Sequence, residues 1–499
     1  MRIAFRVDAS VQIGTGHFMR CLTLADELTR RGAQIRFVSR YLPEYLAKLL
    51  VERDYELAML DSTENDADLD ELAHAPWLGC SQARDAENSI KALSDRAWDW
   101  LIVDHYAMDC RWESRLRQAA KKILVIGDLA DRKHDCDVLL DQNYYVDLNT
   151  RYADKVPDHC RLLLGPGYAL LREEFRNFRE QVEPRKGSVK RILVFFGGMD
   201  ADNYTGLVIQ SLIDMGVSDI YVDVVIGAQH PCREAIEAAC LSPHFTCHVQ
   251  TKRMAELMAA ADLSIGAGGG AIWERCCLGL PTIVICTAEN QRKQIVDAAS
   301  EGLVYVPDLK HEIGLIVERH IRSLMENSYL RQLISLNAMR VVDARGALRV
   351  IASMSCSGID MRMARIDDFE NLFVWRNHPT IRAVSRNSAL IKWEDHCHWF
   401  ASLLTDPNRV LLIGQRDGVP IGVVRFDIQH HQAEVSIYLV PGITGCGRDL
   451  LCSAEMWFVQ NRLEVNSLHA DVFGTNLRSH QLFLSAGYEI ESTSYFKKL

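Results

Sequence analysis

Short apolar runs alternate with amphipathic stretches over the first 350 or so residues. "RIAFRV", "QIRFVS", "WLIVDHY", "KILVIGD" and "VLLDQN" predict strands. "HFMRCLTLADELTRRG" carries apolar residues three and four apart, which predicts a helix with Gly32 as its stop. The polar stretch "DSTENDADLDEL" reads as a surface segment. "VEPRKGSVKR", rich in charge with Pro and Gly, reads as a linker at 182–191. A second alternating block then runs through "RILVFFGG", "YVDVVIG", "FTCHVQ", "LSIGAGG" and "PTIVIC" to "VVDARGALRVIASM". Strands alternating with helices imply mostly parallel sheets covered on both faces.

The pattern changes after "SCSGID" at 355–360, a second linker candidate. "FENLFVWRNHPTIRAVS" and "WEDHCHWFASLL" predict helices. "RVLLIGQRDGVPIGVVRFDIQ" predicts a hairpin turning at Asp417-Gly418, followed by a strand in "QAEVSIYLV". "GITGCGRDLLCSAEMWFVQN" is a glycine turn feeding a helix. The fold expected is α/β, with two Rossmann-like domains at 1–181 and 182–350. A linker at 351–360 and a separate α+β domain at 361–499 complete it.

Composition narrows the class. A net charge of −10 over 499 residues argues against a broad nucleic-acid-binding face. No apolar run reaches the ~18 residues of a membrane span, and "MRIAFRVDAS" lacks the long apolar stretch of a secretory signal. We expect a cytoplasmic protein starting at Met1, without nucleic-acid or membrane partners, its oligomeric state open. The 15 cysteines include no CxxC pair and lie in apolar segments, so they read as buried small hydrophobes rather than zinc ligands. No metal is expected.

Candidate chemistry gathers at glycine turns. "SIGAGGGAIWERCCLGLPTIVICTAENQ" sets Gly268, Gly269 and Gly270 between a strand and a helix, where free amides and the helix dipole suit a phosphate. Glu274, one turn on, is placed to accept ribose hydroxyls; Asn290 and Gln291 follow a strand end and suit sugar hydroxyls or acetamido groups. "FFGGMDADNYT", with Gly198, and "LLLGPGYALLREEF" add two more turns. Met254 reads either as a uracil contact or as core packing. There is no GxxxxGK[ST] loop, and "IGTGH" lacks the GxGxxG spacing of a nicotinamide site.

"IGTGHFMRCLTLA", "IVDHY", "LLGPGYALLREEF", "FFGG" and "WERCCLGLPTIVICTAENQ" together resemble the UDP-sugar hydrolases of pseudaminic acid biosynthesis, relatives of GT-B glycosyltransferases. The resemblance spans residues 1–350 or so, with the motifs in order. It implies a GT-B arrangement with an interdomain cleft. It also implies hydrolysis of UDP-2,4-diacetamido-2,4,6-trideoxy-β-L-altropyranose at the anomeric C–O bond, with inversion. His17 is then the general base; a helix start disfavours imidazolium and so favours a neutral ring. Gly14 and Gly16 let the loop approach the sugar or diphosphate, and Tyr106 with Asp104 lines the cleft or positions His17.

"GITGCGRDLL" resembles the acyl-coenzyme A pyrophosphate loop of GNAT acetyltransferases, with Gly445, Cys446, Gly447 and Arg448 in the loop and Gly442 where Arg or Gln is usual. In "NLRSHQLFLSAGYE", Asn476 matches the position beside the pantetheine arm, while Phe483 stands where many members carry the tyrosine that protonates the thiolate. "VWRNHPTIRAVS" resembles the amino-sugar N-acetyltransferases of that family. Acetyl-CoA is the implied co-substrate, and a UDP-linked 4-amino sugar the implied acceptor. A glycosyltransferase sharing the same cleft, or a nucleotide-sugar binding protein with a degenerate acetyltransferase, remain alternatives.

Overall fold

The computed structural model describes residues 1–61, 71–216, 219–307, 313–355, 358–385, 387–416, 418–462, 465, 467–472 and 476–491. Most of "DSTENDADLDEL" and Asp417 of the hairpin turn lie outside them. Two compact units result, Met1–Ala347 and Leu348–Leu499.

The first unit begins with β1 (Arg2–Val7), α1 (Gly16–Thr29), β2 (Gln34–Ser39), α2 (Glu44–Val51), β3 (Glu56–Met59), α3 (Gln82–Leu93), β4 (Trp98–Asp104), α4 (Cys110–Leu116), β5 (Ala120–Ile126), β6 (Val138–Asp141), β7 (Arg161–Leu164) and α5 (Glu173–Arg179). These strands form one parallel sheet in the order β3-β2-β1-β4-β5-β6-β7. A second alternation follows: β8 (Arg191–Phe195), α6 (Tyr204–Asp214), β9 (Tyr221–Ile226), α7 (Arg233–Ala239), β10 (Phe245–Val249), α8 (Met254–Ala260), β11 (Leu263–Ala267), α9 (Ala271–Cys277), β12 (Thr282–Ile285) and α10 (Arg292–Ser300). Helices α11 (Ile313–Glu326), α12 (Ser328–Val341) and α13 (Gly346–Ser355) come after it. Its strands form a parallel sheet in the order β10-β9-β8-β11-β12.

The central strands are apolar along nearly their whole length, since helices cover both faces of each sheet. Five of the six β1 residues are buried, and the Phe5 and Phe37 rings stack at 4.9 Å between β1 and β2. This is a GT-B-like α/β fold. Each sheet reverses its winding once, between β1 and β4 in the first and between β8 and β11 in the second. In open α/β sheets the crevice beyond the strand ends at such a reversal is where ligands settle.

The second unit is α+β. Its elements are β13 (Asp360–Met363), α14 (Phe369–Asn377), α15 (Pro379–Arg382), α16 (Trp393–Thr405), β14 (Arg409–Arg416), β15 (Val419–Gln429), β16 (Gln432–Leu439), α17 (Gly447–Asn461), β17 (Ser467–His469) and α18 (Leu477–Ser485). Strands β13 to β16 pair antiparallel, while β17 adds in parallel beside β16.

Candidate active site

The β1–α1 loop opens on Gly14 at φ +76°, a left-handed conformation that strains any residue with a Cβ. Its amide donates to the Ser10 carbonyl at 2.8 Å, closing the turn. Helix α1 then starts at Gly16 without a side-chain cap. The loop therefore presents open backbone, and both Gly14 and Gly16 face free space. His17 falls in the first turn and is buried.

At the end of β4, on the other side of the reversal, Asp104 lies 2.5 Å from His17 Nδ1. Arg20, one turn below His17, donates to the same carboxylate through Nε at 2.6 Å and Nη2 at 2.7 Å. Burial works against the Asp104 charge, but Arg20 and then His17 outweigh it and hold the carboxyl well below the usual range. Asp104 is thus a permanent anion. With Nδ1 donating to it, the Nε2 lone pair of His17 is left as the proton acceptor. The hold of Asp104 on Nδ1 is a contact that periodicity does not reveal.

Tyr106 meets the His17 ring edge-on, 4.6 Å between centroids. Its hydroxyl donates to Asp128 at 2.5 Å, and burial, reinforced by Asp128, pushes the phenol well above its ordinary value. Asp128 follows β5; it also accepts from Asn143 Nδ2 at 3.1 Å and pairs with Arg20 at 3.4 Å. Asn143 in turn accepts from Trp273 Nε1 at 3.0 Å. Trp273 lies on α9, the helix fed by Gly268–Gly270. One hydrogen-bonded chain thus runs from His17 through Asp104, Arg20, Asp128 and Asn143 to the helix of the second glycine turn.

That turn follows β11 at the second reversal. Gly269 adopts φ +76°, and a Cβ there would press on the Gln291 amide at 3.1 Å. The buried Gln291 Oε1 finds no partner among the described residues. The side chain of Asn290 lies outside them. Gly270 precedes helix α9 without a side-chain cap. Glu274 pairs with Arg172 at 3.6 Å, and burial pushes its carboxyl upward. Its neighbour Arg275 is fully buried, donates from Nε to the Ala271 carbonyl at 3.1 Å and from Nη2 to the Ala267 carbonyl, and leaves Nη1 without a partner among the described residues. Burial lowers the guanidinium to about 10, so it stays charged near neutrality behind the glycine turn. Gly198 follows β8, and Asp200 accepts from the amides of Tyr204 and Thr205 to start α6. Met254 is buried in the core of the second half and packs there.

In the second unit, Gly445 sits at φ +81° ahead of α17, and Cys446 precedes the helix without a side-chain cap. Cys446 is buried, while Gly447 and the exposed Arg448 open the helix. The Asn476 side chain accepts from the Ser479 amide at 3.2 Å and caps α18. Phe483 packs in the core against Tyr488, whose hydroxyl donates to Glu455 at 2.7 Å.

Among the described residues no cluster of three or more His, Cys, Asp or Glu suits a metal ion, and no helix is long and apolar enough to cross a membrane.

Residues 191–329 match the glycosyltransferase family 28 C-terminal domain, which covers the second sheet. The chain is 26% identical over 304 residues to the UDP-2,4-diacetamido-2,4,6-trideoxy-beta-L-altropyranose hydrolase of Campylobacter jejuni, covering 60% of this chain and 97% of that one. It is 23% identical over 513 residues to an uncharacterized protein of Methanocaldococcus jannaschii, covering 98% and 97% respectively, so that alignment takes in both units. The solved N-acetyltransferase PseH of Campylobacter jejuni is 21% identical, covers 28% of this chain and 92% of that one, and superposes with a TM-score of 0.23.

Proposed function

We propose that the first unit is a UDP-sugar hydrolase acting on UDP-2,4-diacetamido-2,4,6-trideoxy-β-L-altropyranose. The observation that carries this reading is the His17–Asp104 pair at one winding reversal, tied by hydrogen bonds to the helix of the glycine turn at the other. Similarity to the Campylobacter jejuni hydrolase, which covers 60% of the chain, supports the substrate class.

In this mechanism Nε2 of His17 takes a proton from water as the water oxygen bonds to the anomeric carbon. Asp104 stabilises the imidazolium that forms. The anomeric C–O bond breaks on the opposite face, which inverts the configuration and releases UDP. The amides of Gly268, Gly269 and Gly270, the α9 dipole and the charge of Arg275 meet the departing diphosphate without a metal. Glu274 accepts ribose hydroxyls. Gln291, Asn290, Gly198, Gly14, Gly16 and Tyr106 border the sugar and nucleotide.

The second unit, in this reading, N-acetylates the 4-amino precursor nucleotide sugar with acetyl-CoA. The pyrophosphate rests on the amides of Gly445, Cys446, Gly447 and Arg448, with Asn476 beside the pantetheine arm. Phe483 leaves the thiolate to be protonated by water or another group. Acetylation then supplies the substrate that the first unit hydrolyses, in the cytoplasm.

The test is product analysis by NMR and mass spectrometry from the two UDP-sugars, with and without acetyl-CoA. Free diacetamido sugar formed from its UDP-sugar alone supports hydrolysis. UDP release only when an acceptor hydroxyl is added points to a glycosyltransferase, and no turnover to a binding protein. Failure to acetylate the 4-amino UDP-sugar removes the second activity.

A further inference from the structure

Two cysteines meet at the foot of the first sheet, at the strand ends opposite the one that leads to His17. Cys136 precedes β6 and Cys160 precedes β7. These strands pair in parallel with Val138 beside Arg161, and the Arg161 amide donates to the Asp137 carbonyl at 2.9 Å. The two backbones are therefore fixed side by side where the cysteines stand. Their Sγ atoms lie 3.5 Å apart. Cys136 is buried in the apolar core, whereas Cys160 is only partly covered. A disulfide would require the sulfurs to close by about 1.5 Å, within the reach of side-chain rotation.

The stretch between them contains β6 and the long excursion after it. That excursion grips the turn that follows β5. Asn143 Nδ2 donates to the Asp128 carboxylate at 3.1 Å. The Tyr145 hydroxyl and Arg151 Nη2 donate to the Asp128 carbonyl at 3.1 and 2.6 Å. The Tyr152 hydroxyl donates to the Gly127 carbonyl at 2.9 Å, and the Lys155 carbonyl accepts from the His134 amide at 2.8 Å. A bond between Cys136 and Cys160, 24 positions apart, would close the base of this loop. Cross-links restrict the unfolded chain more as the loop they close grows longer. Cys240 and Cys247 also face each other, but they enclose only the short span that includes part of β10 and none of these contacts.

We propose that Cys136 and Cys160 form a reversible disulfide clasp, closed by a small-molecule disulfide and opened by thiols. Cys160, the more accessible, loses its proton to water and attacks the small disulfide, expelling one thiolate. Cys136 then attacks the Cys160 sulfur and expels the second thiolate, which takes up the Cys136 proton. Two cysteine thiols are oxidised and one small disulfide is reduced to two thiols. The clasp secures the excursion that holds Asp128 without touching the proposed reacting atoms. In reducing compartments such bonds are transient and respond to oxidation. The inference does not depend on the hydrolase reading, and its test uses no turnover.

The full chain is incubated with oxidised glutathione, its free thiols are alkylated, and its peptides are mapped by mass spectrometry. A peptide pair linked through Cys136 and Cys160 should accumulate and disappear on treatment with dithiothreitol. The unfolding midpoint of the first unit should rise by about 4 °C in calorimetry on oxidation and return on reduction. Proteolysis between residues 142 and 160 should slow in parallel. Cys160→Ser, a conservative change at a partly exposed position, should show no link and no rise; Cys136→Ala serves as the second variant. Glutathione retained on Cys160, both thiols still free, or a link that leaves midpoint and proteolysis unchanged overturns the proposal. The wild-type chain, oxidised against reduced, decides the matter even if neither variant folds.

Discussion

Replacing Asp104 by Asn tests whether this carboxylate makes His17 the base of the proposed hydrolysis. The substitution keeps the side chain's size but removes a charge 2.5 Å from His17 Nδ1 and one of the two bonds that Arg20 donates. Two unit charges ~4 Å apart at an effective dielectric of ~20 interact by about 4 kcal/mol. That energy is available only once the imidazolium forms, so it acts on the transition state. At about 1.4 kcal/mol per tenfold, kcat should fall about a thousandfold. An Asn amide can also donate to Nδ1 and leave the proton on Nε2, which deepens the loss. KM should move less than about threefold, because the proposed diphosphate contacts lie at the glycine turn after β11. Arg20 retains Asp128 at 3.4 Å, so the stability loss should stay near the lower end of the ~3–5 kcal/mol range for a broken buried pair. UDP release under steady-state conditions and urea unfolding measure both. Asp104→Asn within tenfold of wild type, beside an inactive His17→Asn, refutes the dyad. So does a loss carried by KM.

Arg275→Met should weaken UDP binding about five- to tenfold in calorimetry, through loss of a buried charge behind the turn; unchanged affinity removes Arg275 from the diphosphate site. Burial and then Asp128 push the Asp141 carboxyl up to about 7, so the folded chain holds a proton there that the unfolded chain releases near pH 4. That group's contribution to stability is therefore full below about pH 4 and declines by up to about 4 kcal/mol as pH rises to 7. Asp141→Asn should abolish this decline in unfolding measured from pH 5 to 8, gaining most at pH 8. In the second unit, Asn476→Ala removes the α18 cap and should lower that unit's unfolding free energy by about 1 kcal/mol; no change contradicts the cap.

Much of this arrangement is legible along the chain. The strand runs, the helix stopped near Gly32 and the glycine turns follow from apolar spacing and from glycine's tolerance of left-handed backbone. His17 stands out because a titratable ring opens a helix between glycines. What local pattern conceals is the set of polar residues buried by tertiary contacts. "VLLDQN" reads as one strand, yet β6 ends at Asp141, which frees Asn143 to bridge Asp128 and Trp273. In "WERCC" the sequence points to Glu274, but the adjacent position faces ~100° away around the helix. There Arg275 is fully buried while Glu274 pairs with Arg172. Asp128 closes "KILVIGD", which reads as a strand, and its place beside Tyr106 emerges only once the sheet is assembled. Asp104 is visible as a candidate, but its grip on His17 depends on β1 and β4 being neighbours, which local spacing does not state.

The most direct measurement is isotope placement during turnover in ¹⁸O-water, with the diacetamido UDP-sugar as the only substrate. One ¹⁸O is expected at C1 of the released sugar, none in UDP, and an initial product of inverted anomeric configuration by NMR. Label in UDP, retained configuration, or no free sugar without an added acceptor contradicts attack by water at the anomeric carbon.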